Sequence, residues 1–390
     1  MSRFLTITSW ICALLSLGSV IWIVVPALSP SIWLYAVAVS EWSLWFALLA
    51  LVGIVCALGK YFRFKNGFPY LSLIVGSIAF LLALYPFLTS LSAAREKNVE
   101  LSFKQYFSGL TNSYALSRAP QTFVFKPEGE IKLDVYAPPE GVLPNGASVI
   151  VVHGGAWIGG GRGDFPQWNE WLAANGYTVF DVDYTLAPQP NYLPAIGDVK
   201  CAVRWVKENS AKFNIAPEKL VLLGRSAGAH LALIAAYSAN DVRLPASCGS
   251  GQTDESVRAV VAFYAPVDLV WDYENPSNPF VIDSAKTIGN FIGGNLHESD
   301  EIDQKFTLAS PSSNVNANTP PTFLIHGGQD QLVKKENLDI LAQKLAAQKV
   351  PHETLYIPYA QHGFDYNFNG WGSQIAKPLI LDFLAENTQK

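Results

Sequence analysis

The chain has 390 residues, 32 acidic and 27 basic, for a formal net charge of −5, and half of it is apolar. That balance excludes a dedicated nucleic-acid binder, which needs clustered Lys and Arg against phosphates, and it is too apolar for a disordered chain. Four cysteines exclude a disulfide scaffold, and no Cys-x-x-Cys zinc pattern occurs.

The charges are unevenly divided. Residues 1–95 carry only six, at Arg3, Glu41, Lys60, Arg63, Lys65 and Arg95, and sum to +4. The rest of the chain sums to −9. Five of the eleven tryptophans also fall in the first 95 residues. A boundary near residue 95 follows.

Three apolar runs fill the first segment. Phe4 to Leu28 is uncharged over 25 residues, Trp42 to Gly59 over 18, and Gly67 to Ala94 forms the third. A bilayer core of ~30 Å needs about 20 apolar residues as helix, because every backbone amide must be satisfied internally. The expected transmembrane spans are residues 4–28, 40–59 and 68–93, with Ile32–Val39 able to extend the second past Glu41. Pro26 and Pro86 are expected near helix ends, where a break costs least. A cleaved signal peptide fits poorly, because its apolar core is shorter and two more runs follow here. Buried core helices fit poorly too, because these runs are apolar on all faces.

Orientation follows from Lys and Arg in short loops. Lys60, Arg63 and Lys65 lie between spans two and three, whereas Ser29–Glu41 has neither Lys nor Arg. The three-positive loop is therefore expected in the cytoplasm, and the part after residue 95 outside it. Arg95 and Lys97 pull the other way. Cys12 and Cys56 fall within spans as packing residues. Cys201 and Cys248 fall in the soluble part, where an oxidising compartment would let them pair if their geometry allows.

Residues 96–120 are polar and read as a linker or cap segment. Residues 121–390 then alternate strand and helix. Strands are expected at Thr122–Phe125, Ile131–Tyr136, Ser148–Val152, Tyr177–Val182, Leu220–Leu223, Val257–Tyr264, Pro321–Ile325 and Glu353–Ile357. Helices are expected at Pro166–Ala174, Pro194–Asn209, Ala227–Tyr237, Lys335–Gln348 and Ser373–Glu386. The first two strands read as a hairpin around KPEGE. Alternation of this kind predicts a mostly parallel sheet with helices on both faces. The fold class is thus α/β, an eight-stranded mostly parallel sheet preceded by an all-α segment of about three helices. Residues 267–318 contain no clear strand and read as a cap insertion.

The strand Leu220–Leu223 runs into Gly224-Arg225-Ser226-Ala227-Gly228 and then an apolar helix. This is G-x-S-x-G in its strand–turn–helix context. A serine there occupies a strained turn with its hydroxyl exposed, beside the amides of a helix N-terminus. Serine needs a base to act at neutral pH. His362, in the loop after the last strand, is the best placed. His153 and His326 each end a strand and read as loop-fixing residues, His230 lies in the nucleophile's helix, and His297 and His352 read as surface positions. Asp330 follows the Pro321–Ile325 strand, 104 residues after Ser226 and 32 before His362. It is the expected acid, with Asp268 as competitor and Asp183 and Asp198 as structural residues. Gly154, Gly155 and Ala156, after the third strand, and Ala227 are the candidate oxyanion donors. IGGGRGD also has a G-x-G, but lacks the spacing of a dinucleotide loop.

The motifs HGGAW at 153–157, DYTLAP at 183–188, GRSAG at 224–228, HGGQD at 326–330 and QHGF at 361–364 carry a resemblance. Residues ~120–388 resemble an α/β-hydrolase of the hormone-sensitive-lipase-like and carboxylesterase group. Ala156 departs from the fuller H-G-G-G form, and in this the chain also resembles prenylcysteine-methylesterase-like and feruloyl-esterase-like branches. The resemblance implies a serine carboxylic-ester hydrolase acting through an acyl-enzyme, without metal or cofactor, on a small-molecule or lipid-like ester. An acyltransferase using the same triad is an alternative. A catalytically silent receptor or scaffold on this fold is another.

Overall fold

The computed structural model describes residues 1–65, 69–109, 119–187, 190–249 and 254–389. The start of the third apolar run at Gly67, residue 68 of the third expected span, much of the expected 96–120 linker and Pro188 of DYTLAP lie outside the described residues.

Strands β1 (Gln121–Lys126), β2 (Ile131–Tyr136), β3 (Ser148–Val152), β4 (Thr178–Val182), β5 (Leu220–Arg225), β6 (Ala259–Phe263), β7 (Thr322–Gly327) and β8 (His352–Ile357) form one sheet in the order β1-β2-β4-β3-β5-β6-β7-β8. β1 and β2 pair antiparallel, as does β2 with β4, and the remaining pairs are parallel. β3 to β6 are buried along their whole length, which explains their continuous apolar runs. The chain leaves β3 for β4 on one side and returns to β5 on the other, so β3 marks the topological switch. Open α/β sheets form their crevice at the carboxyl ends of strands at such a point.

Helices cover both faces. α6 (Pro166–Ala174) and α14 (Trp371–Thr388) share one apolar core, while α7 (Tyr192–Glu208), α9 (Ala227–Tyr237) and α13 (Glu336–Ala347) share the other. A short helix, α8 (Ser210–Phe213), follows α7. Cys201 of α7 is disulfide-bonded to Cys248, with Cα atoms 5.6 Å apart. The 267–318 stretch is helical, which its polar composition concealed. α10 (Leu269–Glu274), α11 (Ser284–Ile292) and α12 (Asp300–Ala309) are each started by a side-chain cap, from Asp268, Asp283 and Ser299.

Three N-terminal helices are long and apolar enough to cross a membrane: α1 (Ser2–Val20), α3 (Ser43–Phe64) and α4 (Tyr70–Glu96). Their burial is inverted relative to a water-soluble bundle. α4 buries Ser72, Gly76, Ala79, Ala83, Ser90 and Ala93 but exposes Leu71, Ile74, Ile78, Leu81 and Leu88. Ser9 Oγ donates to Ser72 Oγ across the seam at 2.9 Å. Small residues let the backbones approach, and a Cβ on Gly53 would lie 3.0 Å from Cys12 Cβ.

The boundaries differ from the expected spans in three ways. α1 passes through one 3-10 turn and ends at Ile23, so residues 24–29 leave the helix. Pro26 cannot donate to a helical ladder, and Ser29 instead caps a new helix, α2 (Pro30–Glu41), that has proline at its first position. α2 does not run into α3, because Trp42 breaks the helix with φ −111° and ψ 29°. The break lets α2 lie against the α/β domain, where Glu41 is buried. Pro86 sits inside α4 rather than near its end; Ser90 Oγ donates to the Pro86 carbonyl at 2.7 Å. The expected linker is docked as well. Tyr106, in α5 (Phe103–Ser108), stacks on Trp371 at 4.2 Å, and its hydroxyl accepts from the Leu44 amide at 3.1 Å.

Candidate active site

Ser226 sits between β5 and α9 at φ 53° and ψ −123°, a left-handed region that costs a non-glycine residue strain. Its neighbours make the turn feasible. A Cβ on Gly224 would collide with the Gly228 carbonyl, and one on Gly228 with the carbonyls of Val152 and His153. The Ser226 amide donates to Phe263 O at 3.0 Å. The hydroxyl is thereby held at the head of α9, whose first amides have no partner within the helix.

His362 lies in the turn after β8. Its Nε2 is 2.9 Å from Ser226 Oγ and its Nδ1 2.7 Å from Asp330 Oδ2. These partners fix the tautomer, with Nδ1–H donating to the carboxylate. The Tyr264 ring packs against the imidazole, with centroids 4.3 Å apart. Asp330 follows β7, and its Oδ1 accepts from the amides of Leu332 and Val333 at 2.8 and 2.9 Å. Burial alone would raise its pKa. The adjacent His362 and the hydrogen bonds from the two histidines outweigh that and hold the carboxyl well below the usual carboxylate range. Ser226, Asp330 and His362 are thus brought together.

Gly154, Gly155, Ala156 and Ala227 line the same cavity of about 300 Å³ as Ser226 and His362. The 155–157 turn has positive φ at each residue, 111°, 53° and 61°. Among the described residues the amides of Gly155 and Ala156 have no hydrogen-bond acceptor. Unpaired amides beside a nucleophile are what a tetrahedral oxyanion needs.

The other candidates lie elsewhere. Asp268 caps α10 and accepts from Ser312 Oγ at 2.8 Å, so it does not reach His362. Asp183 pairs with Arg162, and Asp198 with Lys126. His153 bonds the Gly154 carbonyl, and His326 bonds Val333 O at 3.0 Å behind Asp330. His230 bonds Ala309 O, and burial pushes its pKa down to about 4. Among the described residues no His, Cys, Asp and Glu cluster is arranged to hold a metal ion.

Several site residues have no local signature. Arg225 Nε binds Asp365 Oδ2 at 2.5 Å, joining the serine turn to the histidine loop. Their positions beside two motifs were the available signal. Asp272 lines the cavity, and Asn337 Nδ2 donates to its Oδ1 at 2.7 Å. Burial pushes the Asp272 carboxyl up to about 7. Trp33, from α2, also lines the cavity, and nothing in its sequence neighbourhood announces this.

The BD-FAE family profile matches residues 133–345, more than half of the chain. The chain belongs to the BD-FAE family. Among curated relatives, esterase LipC of Mycobacterium tuberculosis is 33% identical over 221 residues, covering 56% of this chain and 53% of LipC. Esterase LipQ of the same organism is 32% identical over 259 residues, covering 65% of this chain and 58% of LipQ. The match therefore spans little more than half the length of these relatives. A solved structure of a thermophilic esterase from Thermogutta terrifontis superposes with a TM-score of 0.57 at 23% identity, covering 69% of this chain and 92% of that one. The α/β-hydrolase fold is shared with it. The first 95 residues lie outside the matched profile.

Proposed function

We propose that this chain is a serine carboxylic-ester hydrolase carried by three transmembrane helices. The observation that carries the reading is His362, which bridges Ser226 and Asp330 at 2.9 and 2.7 Å beside two unpaired amides. The relatives named esterase LipC and esterase LipQ support the same class.

In this reading Ser226 Oγ attacks the ester carbonyl while His362 Nε2 takes its proton. Asp330 holds the imidazole and stabilises the imidazolium without taking the proton itself. The amides of Gly155, Ala156 and Ala227 receive the developing oxyanion, with Gly154, which lines the same cavity, as a further candidate donor. His362 then protonates the leaving alcohol, and water repeats the sequence on the acyl-enzyme. Helix α11 and the segment before it act as a cap, since Ile282, Ser284, Thr287 and Ile288 line the cavity, with Asp272 of α10 beside them.

The inverted burial of α4 supports the membrane reading. An extracytoplasmic catalytic domain is supported by Lys60, Arg63 and Lys65 at the far end of the bundle. The Cys201–Cys248 disulfide, favoured outside reducing compartments, supports it too.

The test is a panel of p-nitrophenyl esters from acetyl to palmitoyl, run with the full-length protein and with Ser226→Ala. Turnover that falls on the order of 10⁴-fold or more in the variant is expected. Absence of turnover on every ester, or turnover that survives in Ser226→Ala, overturns the reading.

A further inference from the structure

The polypeptide between the first two apolar helices is built into the active site. Gln331 follows Asp330 directly. Its Oε1 accepts from the Ala27 amide at 2.7 Å, and its Nε2 donates to Gln361 Oε1, beside His362, at 3.1 Å. Asn278, in the segment joining α10 to α11, donates from Nδ2 to the Ala27 carbonyl at 2.7 Å and to Gln331 Oε1 at 2.8 Å. The 24–29 loop is therefore fastened to the acid loop and the cap, and through Gln331 to the histidine loop. Four residues past its end, Trp33 forms part of the cavity wall that also contains Ser226 and His362. Among the described residues the Trp33 indole N–H is buried without a partner.

The outer surface of this wall is apolar. Val24, Val25, Leu28, Leu34 and Tyr35 are exposed, Leu28 and Leu34 by about 60% each. Phe280, two residues from Asn278, is 64% exposed. The collar lies where the end of α1 and the start of α3 meet the α/β domain, the level of the membrane surface if these helices cross a bilayer. Exposed apolar side chains gathered in this way mark contact with lipid or a partner, and the adjoining apolar helices favour lipid. The cavity wall itself is largely apolar, from Trp33, Trp157, Ile282, Ile288 and Leu332.

We propose that the site takes an amphiphilic ester directly from the adjoining lipid leaflet, past a portal whose wall is the 24–33 segment. This inference rests on the esterase reading and deepens it by naming the substrate class. A single-chain or double-chain acyl ester with a small head group satisfies it. The ester carbonyl reaches Ser226 while the acyl chain lies along Trp33 and the cap.

The test uses full-length protein in phosphatidylcholine vesicles. Two rates are compared, one on p-nitrophenyl butyrate in the aqueous phase and one on dioleoylglycerol carried in the same vesicles. The Leu28→Ser, Leu34→Ser double variant changes only the exposed collar and not the cavity. It is expected to slow dioleoylglycerol hydrolysis by about tenfold while the butyrate rate stays within about twofold, since interfacial contact scales with buried apolar area. Phe280→Ser is expected to act in the same direction and guards against misfolding of the double variant. Trp33→Ala is expected to change the ratio of the two kcat/KM values by about tenfold. Dioleoylglycerol left intact by wild type that cleaves butyrate overturns the portal and leaves the esterase reading standing. Equal effects of the collar variants on both rates, or no effect on either, also overturn it. Loss of both wild-type activities removes the esterase reading itself.

Discussion

Arg225 Nε and Asp365 Oδ2 lie 2.5 Å apart in an interior that exposes almost nothing of either side chain. Arg225 precedes the serine and Asp365 follows His362 by three residues. The guanidinium stacks over Phe165, 4.3 Å from its centroid, and Tyr264 donates to Asp365 Oδ1 at 2.5 Å. The pair ties the serine turn to the histidine loop.

Asp365→Ala leaves the buried guanidinium without its ion-pair partner. A loss of about 3–5 kcal/mol in unfolding free energy is expected, read from urea denaturation. The same variant should lower kcat more than it raises KM, since His362 loses its fixed position. Unchanged stability would remove the pair from the folding argument.

Gly155 has φ 111°, and a methyl there would run into the Gly159 carbonyl oxygen. Gly155→Ala must therefore move the 155–157 turn and its amides. A fall in kcat of about a hundredfold is expected, by analogy with losing one oxyanion donor. Substrate binding should change little. Full activity in this variant would argue that the turn contributes no donor.

Two buried carboxyls predict an unusual pH dependence of stability. Burial raises Asp272 and Asp181 to about 7 each, against 3.8 ordinarily. Between these values the folded state holds protons that the unfolded state has lost, so stability falls as pH rises from about 4 to 7. Asp272→Asn and Asp181→Asn should each flatten that slope, by an amount of order a few kcal/mol across the window. Denaturation midpoints measured across this range check it. Slopes as steep as wild type would place the proton elsewhere.

Cys201 and Cys248 close a loop of 47 residues. Cys201→Ser should cost about 2–4 kcal/mol, mainly by freeing the unfolded chain. In the denatured, unreduced wild-type protein only Cys12 and Cys56 should alkylate. Labelling of all four cysteines would show the bridge absent.

The sequence by itself determined the sheet and the positions of the candidate trio. Strands such as Ser148–Val152 announce themselves because burial on both faces demands an unbroken apolar run. Ser226, Asp330 and His362 were legible because each sits in a turn just past a strand, and turn chemistry is local. Only the tertiary structure decided how the N-terminal segment joins the site. The contact between Ala27 and Gln331 spans 304 positions, and neither residue differs from an ordinary loop residue in its own neighbourhood. The helix break at Trp42 is similar, because the apolar residues on either side of Glu41 carry no mark of the surface that α2 lies against. The cap helices were hidden for a third reason. Their polar faces and caps read as loop until packing against the sheet selects the helix, since short helices gain most of their stability from tertiary burial rather than from propensity.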